Sequence, residues 1–270
     1  MKFQCSSDWR SFLFVCISFG LMGISLSTSY SPWLDSLLFF LQTFFSFICC
    51  IINHNHTHLP TFKNPRWNQV FACMLTLAKG NTSTTVVVPH QLNHHPYVGQ
   101  AQDWSRPSLA GNGWGGVRIL RYLIRASISM SIHRRHPDAP QLSSELKKSL
   151  KLELFFLVLF IFLGITYSGY RFFLQIIIPW LLATTMLLSI NFIQHDACTF
   201  DSKWKNSHNF TGRLFNWFFL NNGFHTVHHL YPSTHWSQLK GLHEKYVDHM
   251  PSQFNHSSFV EYAARKYILR

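Results

Sequence analysis

Acidic residues are scarce in this chain: 11 Asp and Glu stand against 23 Lys and Arg among 270 residues, so the net charge is +12 with histidine neutral. Charged residues make up only 13% of the sequence, about half the share found in soluble domains. A basic nucleic-acid binder would carry its charge on polar helices or loops without long apolar runs. Long apolar runs dominate here, so the composition argues against nucleic-acid binding and favours a membrane protein with substantial parts outside the bilayer.

Cysteine motifs are also missing. The six cysteines form no C-x-x-C pair, and most lie inside apolar runs, where free cysteine behaves as a small hydrophobe. The sequence therefore indicates neither a disulfide framework nor a thiolate zinc site. It also contains no Glu-x-x-His, the motif on which soluble di-iron bundles build their sites.

Four apolar runs are each about twenty residues long, enough for a helix to cross a bilayer core of about 30 Å. They cover residues 11–30, 33–52, 152–170 and 172–193. The first run is not a signal peptide, because it is too long and a second run follows at once. Short links at Ser31–Pro32 and around Arg171 join the runs into two predicted hairpins. Asp35 lies near the first link, where we expect it to reach headgroups or water.

Basic residues lie almost entirely outside these runs. Twelve of the 23 fall between His54 and Lys151, and eight follow Asn191. By the positive-inside rule, the N-terminus, the middle segment and the C-terminal segment are all cytoplasmic, which agrees with an even number of crossings.

The middle segment has two half-apolar stretches, 67–88 and 115–132. In the second, Arg118, Arg121 and Arg125 recur at helical spacing, which predicts an amphipathic helix at the membrane interface with its arginines toward headgroups. The predicted fold is therefore an all-α integral membrane protein, a single domain over residues 1–270. It has four transmembrane helices in two hairpins, interfacial amphipathic helices and a cytoplasmic histidine-rich cap.

Histidine is unusually common, with 17 residues, and much of it is clustered. The clusters are "NHNHTH" at 53–58, "HQLNHH" at 90–95 and "HTVHH" at 225–229, with "NFIQHD" at 191–196. If each is helical, residues four apart share a face. The pairs that could each aim at one point are His54 and His58, His90 and His94, Asn191 and His195, and His225 and His229. Adjacent members of a cluster diverge by about 100°, so the pattern suits two metal ions between helix ends.

The spacing alone leaves the metal open, because imidazole suits zinc, copper, iron and nickel. Nine histidines nevertheless exceed the four ligands of one structural zinc. Seven other histidines are interpreted as surface residues: His56, His133, His136, His208, His243, His249 and His256.

The order H-x-x-x-H, H-x-x-x-H-H, N-x-x-x-H and H-x-x-H-H resembles the membrane fatty acid desaturase and hydroxylase superfamily, and acyl desaturases most closely. The resemblance implies two non-haem iron ions that activate O₂. It also implies a ligand set of His54, His58, His90, His94, His95, His195, His225, His228 and His229, with Asn191 holding a water on one iron. Asp103, Asp196 and His235 would orient imidazole N–H groups. His56 is an additional histidine that could replace a neighbour.

The resemblance favours a desaturase that introduces a double bond into a fatty acyl chain. Hydroxylation, carotenoid ketolation and terminal-alkene formation stay open, as do the acyl carrier, the chain length and the oligomeric state. We expect a separate electron donor, a ferredoxin or cytochrome b5 with its reductase, because no second domain follows the boxes. The compact length favours a bacterial inner membrane over the endoplasmic reticulum. A metal transporter would instead carry polar residues within its spans, and complete boxes argue against a non-catalytic scaffold.

Overall fold

The computed structural model describes residues 2–27 and 31–269, most of which are helical. The α-helices are α1 (Trp9–Ser27), α2 (Pro32–His58), α3 (Pro65–Lys79), α4 (His95–Tyr97), α5 (Gly115–His133), α6 (Ser144–Phe172), α7 (Ile178–His195), α8 (Arg213–Phe218), α9 (His225–Leu230), α10 (Leu239–Tyr246) and α11 (Phe259–Ala263). Two short strands, β1 (Asn209–Phe210) and β2 (Asn255–His256), pair in parallel. The end of the first predicted run, 28–30, lies outside the described residues.

The chain divides into two compact units. The first comprises Met1–Val86 and Leu142–Leu187, and the second comprises Val87–Gln141 and Leu188–Arg270. The first unit contains most of the apolar helices, whereas the second contains the second and third histidine boxes.

Among the residues that the structure describes, three helical stretches are long and apolar enough to cross a membrane: Ser6–Ser27, Pro32–His58 and Ser144–His195. The third is 52 residues long and combines both of the later predicted runs. It is not straight, because Ser168 has non-helical torsions of φ −159° and ψ 69°. Phe160 lies before this kink and Trp180 after it, and their ring centroids are 6.0 Å apart. In a straight helix the two residues would be about 30 Å apart. The chain therefore turns back on itself near Ser168.

Polar contacts tie the first unit together at both predicted links. The α1 and α2 helices run antiparallel, since Phe14 lies against Phe45 at 5.9 Å and Gln42 donates to Ser18 at 3.3 Å. Ser31 caps the start of α2, and Pro32 takes the first helical position, where its missing N–H costs nothing. Asp35, which we expected to reach headgroups or water, pairs with Arg171 at 2.9 Å. Its partner is thus the cation at the second predicted link.

In the second unit the predicted helix at 115–132 is present as α5, but its arginines are placed differently from the prediction. Arg118 binds Asp196, Arg121 donates to the carbonyls of Ala110 and Asn112, and Arg125 donates to that of Leu109. They satisfy the chain's own carbonyl and carboxylate oxygens, so the expectation that they face headgroups was wrong. The exposed side of α5 is instead apolar, with Leu120, Ile124 and Ile128 more than half exposed.

Candidate metal centre

The second histidine box lies on a π-helix, Val87–His94, that leads directly into α4. A π-helix hydrogen-bonds residues five apart, and here His90 accordingly meets His95, with 3.1 Å between their Nε2 atoms. His94 turns away, and its Nε2 lies 3.2 Å from that of His195. The expectation that His90 and His94 share one point was therefore wrong, because the local helical period is longer than that of an α-helix.

Four imidazoles of the second unit converge on one another: His94, His195, His225 and His229. We call them the four-histidine cluster. The Nε2 atom of His195 lies 3.2, 3.1 and 3.2 Å from those of His94, His225 and His229 respectively. His225 and His229 are one turn apart on α9, with 3.2 Å between their Nε2 atoms, as the α-helical spacing predicted. Residues from three distant segments thus present the same ring atom to one small volume.

Hydrogen bonds on the outer nitrogens determine which tautomer two of these rings adopt. His94 Nδ1 lies 3.0 Å from the Asp103 carboxylate, and His195 Nδ1 lies 2.7 Å from the Asn206 carbonyl. A carbonyl and an ionised carboxylate only accept, so each Nδ1 carries a proton, and in the neutral form of the ring each Nε2 presents a lone pair. Two lone pairs facing at 3.2 Å repel each other, and a cation between them would remove that repulsion.

Asp103 is held in its ionised form. Burial by itself would raise the pKa of this carboxyl group, but His94 and the backbone N–H groups of Ser105 and Gly99 more than offset it and lower the pKa. Ser105 also donates through its hydroxyl at 2.9 Å. The orienting role predicted for Asp103 is thus matched by a direct contact with His94.

The spacing of the four-histidine cluster fits a first-row metal. Imidazole nitrogens bind such ions at about 2.1 Å, so two of them at right angles lie about 3 Å apart. Ligand nitrogens of His94, His195 and His229 lie within 4.8 Å of one another. Neutral imidazole is the form that binds metal, and burial together with neighbouring histidines lowers the pKa of His229 well below its usual value.

The other three predicted ligand histidines of the second unit form a second group beside the first: His90, His95 and His228. We call it the three-histidine group. His95 and His228 have ring centroids 4.9 Å apart, and His90 and His228 offer ligand nitrogens within 4.8 Å of each other. All seven second-unit histidines predicted as ligands therefore lie in one of two adjoining groups, since His95 also lies 4.4 Å from His229.

The first box ends α2 in the first unit. His54 and His58 have ring centroids 5.2 Å apart and offer nitrogens within 4.8 Å, as residues four apart on an α-helix should. His56 points elsewhere: its Nδ1 accepts the Thr61 backbone N–H at 3.1 Å, and its ring packs on Phe71. These contacts give His56 a packing role, and it is part-buried rather than on the surface as predicted.

Contacts from α7 and β1 position the third box. Gln194, next to His195, donates to the backbone and side-chain oxygens of Asn222 at 2.9 and 3.1 Å. The Thr226 N–H, in the first turn of α9, donates to the Asn209 side chain at 3.0 Å. Gly223 precedes this turn at a point where a Cβ would overlap the backbone of β1. The small residue lets α9 approach closely enough for its histidines to meet His195.

Asn191 lies one turn before His195 on α7, as the pattern predicted. Its Nδ2 donates to the Tyr122 hydroxyl at 3.0 Å, and that hydroxyl donates to the Ser105 carbonyl at 2.8 Å. These bonds connect α7 to the loop that carries Asp103. The role of Asn191 in holding a metal-bound water stays a prediction.

Asp196 and His235 were predicted to orient imidazoles. Asp196 instead accepts from Arg118 and Tyr267, so a direct contact with a ligand imidazole was the wrong expectation for it. His235 caps the short 3-10 helix Trp236–Gln238 that follows α9, and its Nδ1 accepts the Ser237 N–H at 3.2 Å. Neither Arg118 nor the Asn206 carbonyl was recognised from the sequence as part of the site's surroundings.

Two further histidines were expected on the surface and are buried, His208 and His243. Burial lowers the pKa of His243, and it lowers that of His208 to about 4. His208 lies 2.9 Å from both His256 and the Asp196 carbonyl, so the second unit encloses it in a polar network.

Acid is expected to destabilise the metal-free chain. An unfolded histidine takes up a proton below about pH 6.5, whereas His208, His229 and His243 resist it in the fold. Their contribution to the free energy of unfolding is complete above pH 6.5, and it is lost as the pH falls toward their pKa values in the folded chain. His208 alone accounts for about 3 kcal/mol of this free energy between pH 6.5 and about pH 4. Thermal unfolding in detergent should show this loss between pH 7 and pH 5, and His208→Asn should reduce it. An unfolding temperature that stays flat across this range would contradict the prediction.

Comparison with protein families identifies the chain. The sequence model of the fatty acid desaturase family matches residues 31–259, which include every histidine of the three boxes. The chain belongs to the fatty acid desaturase family, which indicates an oxidoreductase. Comparison with curated proteins and with solved structures gave no match.

Proposed function

We propose that this protein is an O₂-dependent desaturase that introduces a double bond into a fatty acyl chain. Two non-haem iron ions would be held by nine histidines of the sequence pattern: His54, His58, His90, His94, His95, His195, His225, His228 and His229. Asn191 would act on one iron through a water. The observation that carries the proposal is the four-histidine cluster, in which the Nε2 atoms of four imidazoles face one another at 3.1 to 3.2 Å inside a chain of this family. His54 and His58 enter the ligand set through their place in the sequence pattern.

The reaction balances as one acyl –CH₂–CH₂– unit, one O₂, two electrons and two protons giving –CH=CH– and two waters. Bound iron would supply activation of O₂ for abstracting hydrogen from an unactivated C–H bond. The chain's own residues keep the ligands in the correct state. Asp103 and the Asn206 carbonyl hold the protons of His94 and His195 on Nδ1, so both Nε2 atoms stay free of protons.

The two electrons require a partner, and we propose a separate one-electron carrier, a ferredoxin or cytochrome b5 with its reductase. A basic protein attracts an acidic carrier by electrostatic steering, and the chain's net charge of +12 favours such an encounter.

We further propose that the chain crosses the membrane four times, with the histidine boxes in the cytoplasm. The antiparallel contact of α1 with α2 and the reversal near Ser168 support two hairpins. The ion pair of Asp35 with Arg171 joins the two hairpin links, so they would lie on the same side. The bacterial inner membrane is the location we favour.

Hydroxylase, ketolase and terminal-alkene activities use similar boxes, and product analysis separates them. We expect that expression with an electron donor gives lipids lighter by two hydrogens, only when O₂ is present. The measurement is mass spectrometry of total fatty acids with and without O₂. A gain of one oxygen would replace the desaturase proposal by a hydroxylase. An unchanged lipid profile, from a chain shown to contain iron and to be reduced by its donor, would contradict both.

A further inference from the structure

Asp196 directly follows the proposed ligand His195, and its carboxylate is 2% exposed. Arg118 donates two hydrogen bonds to it, at 2.9 and 2.5 Å, and the Tyr267 hydroxyl donates a third at 2.7 Å. Lys266 Nζ lies 3.2 Å away. A buried carboxylate with this many donors is held in one position, because losing any of them leaves charge unsatisfied.

The α7 helix ends at this point in a strained turn. The Asp196 N–H still makes a helical bond, to the Phe192 carbonyl at 2.8 Å, but Ala197 adopts φ 63°. Left-handed torsions at a helix end suit glycine, and an alanine there is strained. Such a conformation persists only where surrounding contacts enforce it. The contacts to Asp196 are next to this residue, and they therefore also fix the helix end that carries His195.

Two of the three donors come from the C-terminal π-helix, Ala264–Ile268. This segment packs on the start of α5 so closely that a Cβ at Gly115 would overlap the backbone of Tyr267. The Tyr267 ring is 1% exposed and lies 5.8 Å from that of Phe192, one turn before the end of α7. The segment lies beyond residues 31–259, the part of the chain that matches the family.

We propose that the C-terminal segment is a clamp that positions the metal ligand His195 through Asp196, with Tyr267 and Lys266 as its positioning residues. The inference rests on the proposed function, since it assumes that His195 binds iron. It adds to the family's histidine boxes a support that comes from outside the matched part of this chain. The clamp residues touch neither iron nor substrate; they hold the backbone from which His195 extends.

The test compares iron retention by full-length variants in detergent. Tyr267→Phe removes only the hydroxyl, and Lys266→Gln replaces the ammonium that faces Asp196 by a shorter, neutral amide. Arg265→Gln is the matched control, because Arg265 is 75% exposed and pairs with Glu261 instead. After loading with iron(II), loss of iron to a colorimetric chelator is followed over time. Direct partners of ligand histidines are worth about 10–100-fold in metal affinity, so these more remote residues should speed release about threefold to tenfold, and the control should not.

A second measurement needs no iron. Amide hydrogen exchange across residues 190–206 should be faster in metal-free Tyr267→Phe than in metal-free Arg265→Gln. This readout also carries the test if Lys266→Gln does not fold. A wild-type chain that binds no iron would overturn the proposed function. Wild-type iron binding with unchanged release and unchanged exchange in Tyr267→Phe would overturn the clamp alone.

Discussion

His195→Ala is expected to abolish product formation, with a loss of at least about 100-fold. The Nε2 of His195 is the central atom of the four-histidine cluster, since it lies 3.1 to 3.2 Å from three other Nε2 atoms. Removing it leaves those nitrogens without their common neighbour and opens a buried cavity. A direct ligand should matter more than an outer partner, for which losses of about 10–100-fold are typical. The measurements are iron per chain by elemental analysis and product by mass spectrometry.

The matched control is His249→Gln, a histidine of the same unit. His249 is exposed and stacks on Trp204, 5.1 Å between ring centroids, outside both histidine groups. It should keep the iron content and the product of the wild-type chain. Full iron and full product in His195→Ala would exclude the four-histidine cluster as the metal site.

The apolar runs and the box spacing predicted much of this molecule because both depend on local periodicity. The described residues of the four runs are helical apart from the kink at Ser168, and the pairs His54–His58 and His225–His229 lie as an α-helix places them. The second box differs from the predicted arrangement because residues Val87–His94 form a π-helix and not an α-helix. A π-helix is rare and hydrogen-bonds residues five apart, so a prediction from α-helical spacing does not anticipate it.

Contacts between residues far apart in the sequence were harder to predict. Arg118 repeats at helical spacing with other arginines, so the sequence favoured an interfacial face, yet its partner is Asp196, 78 residues away. The Asn206 carbonyl that orients His195 has no sequence signature, because every residue has a backbone carbonyl. Asp103 was identifiable only as an acid near the second box. Its contact with His94 depends on a loop whose Gly99 has φ 73°.

Asp103→Asn is expected to cost about 10–100-fold in iron affinity, with a similar or larger loss of product. The change keeps the size of the side chain but replaces one oxygen by an amide that donates. If that amide faces His94 Nδ1, the imidazole proton moves to Nε2, where it blocks the lone pair that would bind metal. If the amide oxygen faces Nδ1 instead, it still accepts the Gly99 N–H, but the amide nitrogen then meets the Ser105 N–H, which loses its acceptor. The first arrangement disfavours the tautomer that the site requires, and the second keeps that tautomer but leaves a buried donor unsatisfied and removes the negative charge beside His94.

Asp201→Asn provides the comparison, because Asp201 is an exposed carboxylate of the same unit that pairs with Lys205. It should bind iron as the wild-type chain does. Iron titration of both variants, with thermal unfolding at the same pH, separates loss of the tautomer from loss of the fold. Iron affinity in Asp103→Asn equal to that of Asp201→Asn would mean that His94 keeps its Nε2 lone pair without an anionic partner, and the carboxylate would then have no part in preparing this imidazole for metal.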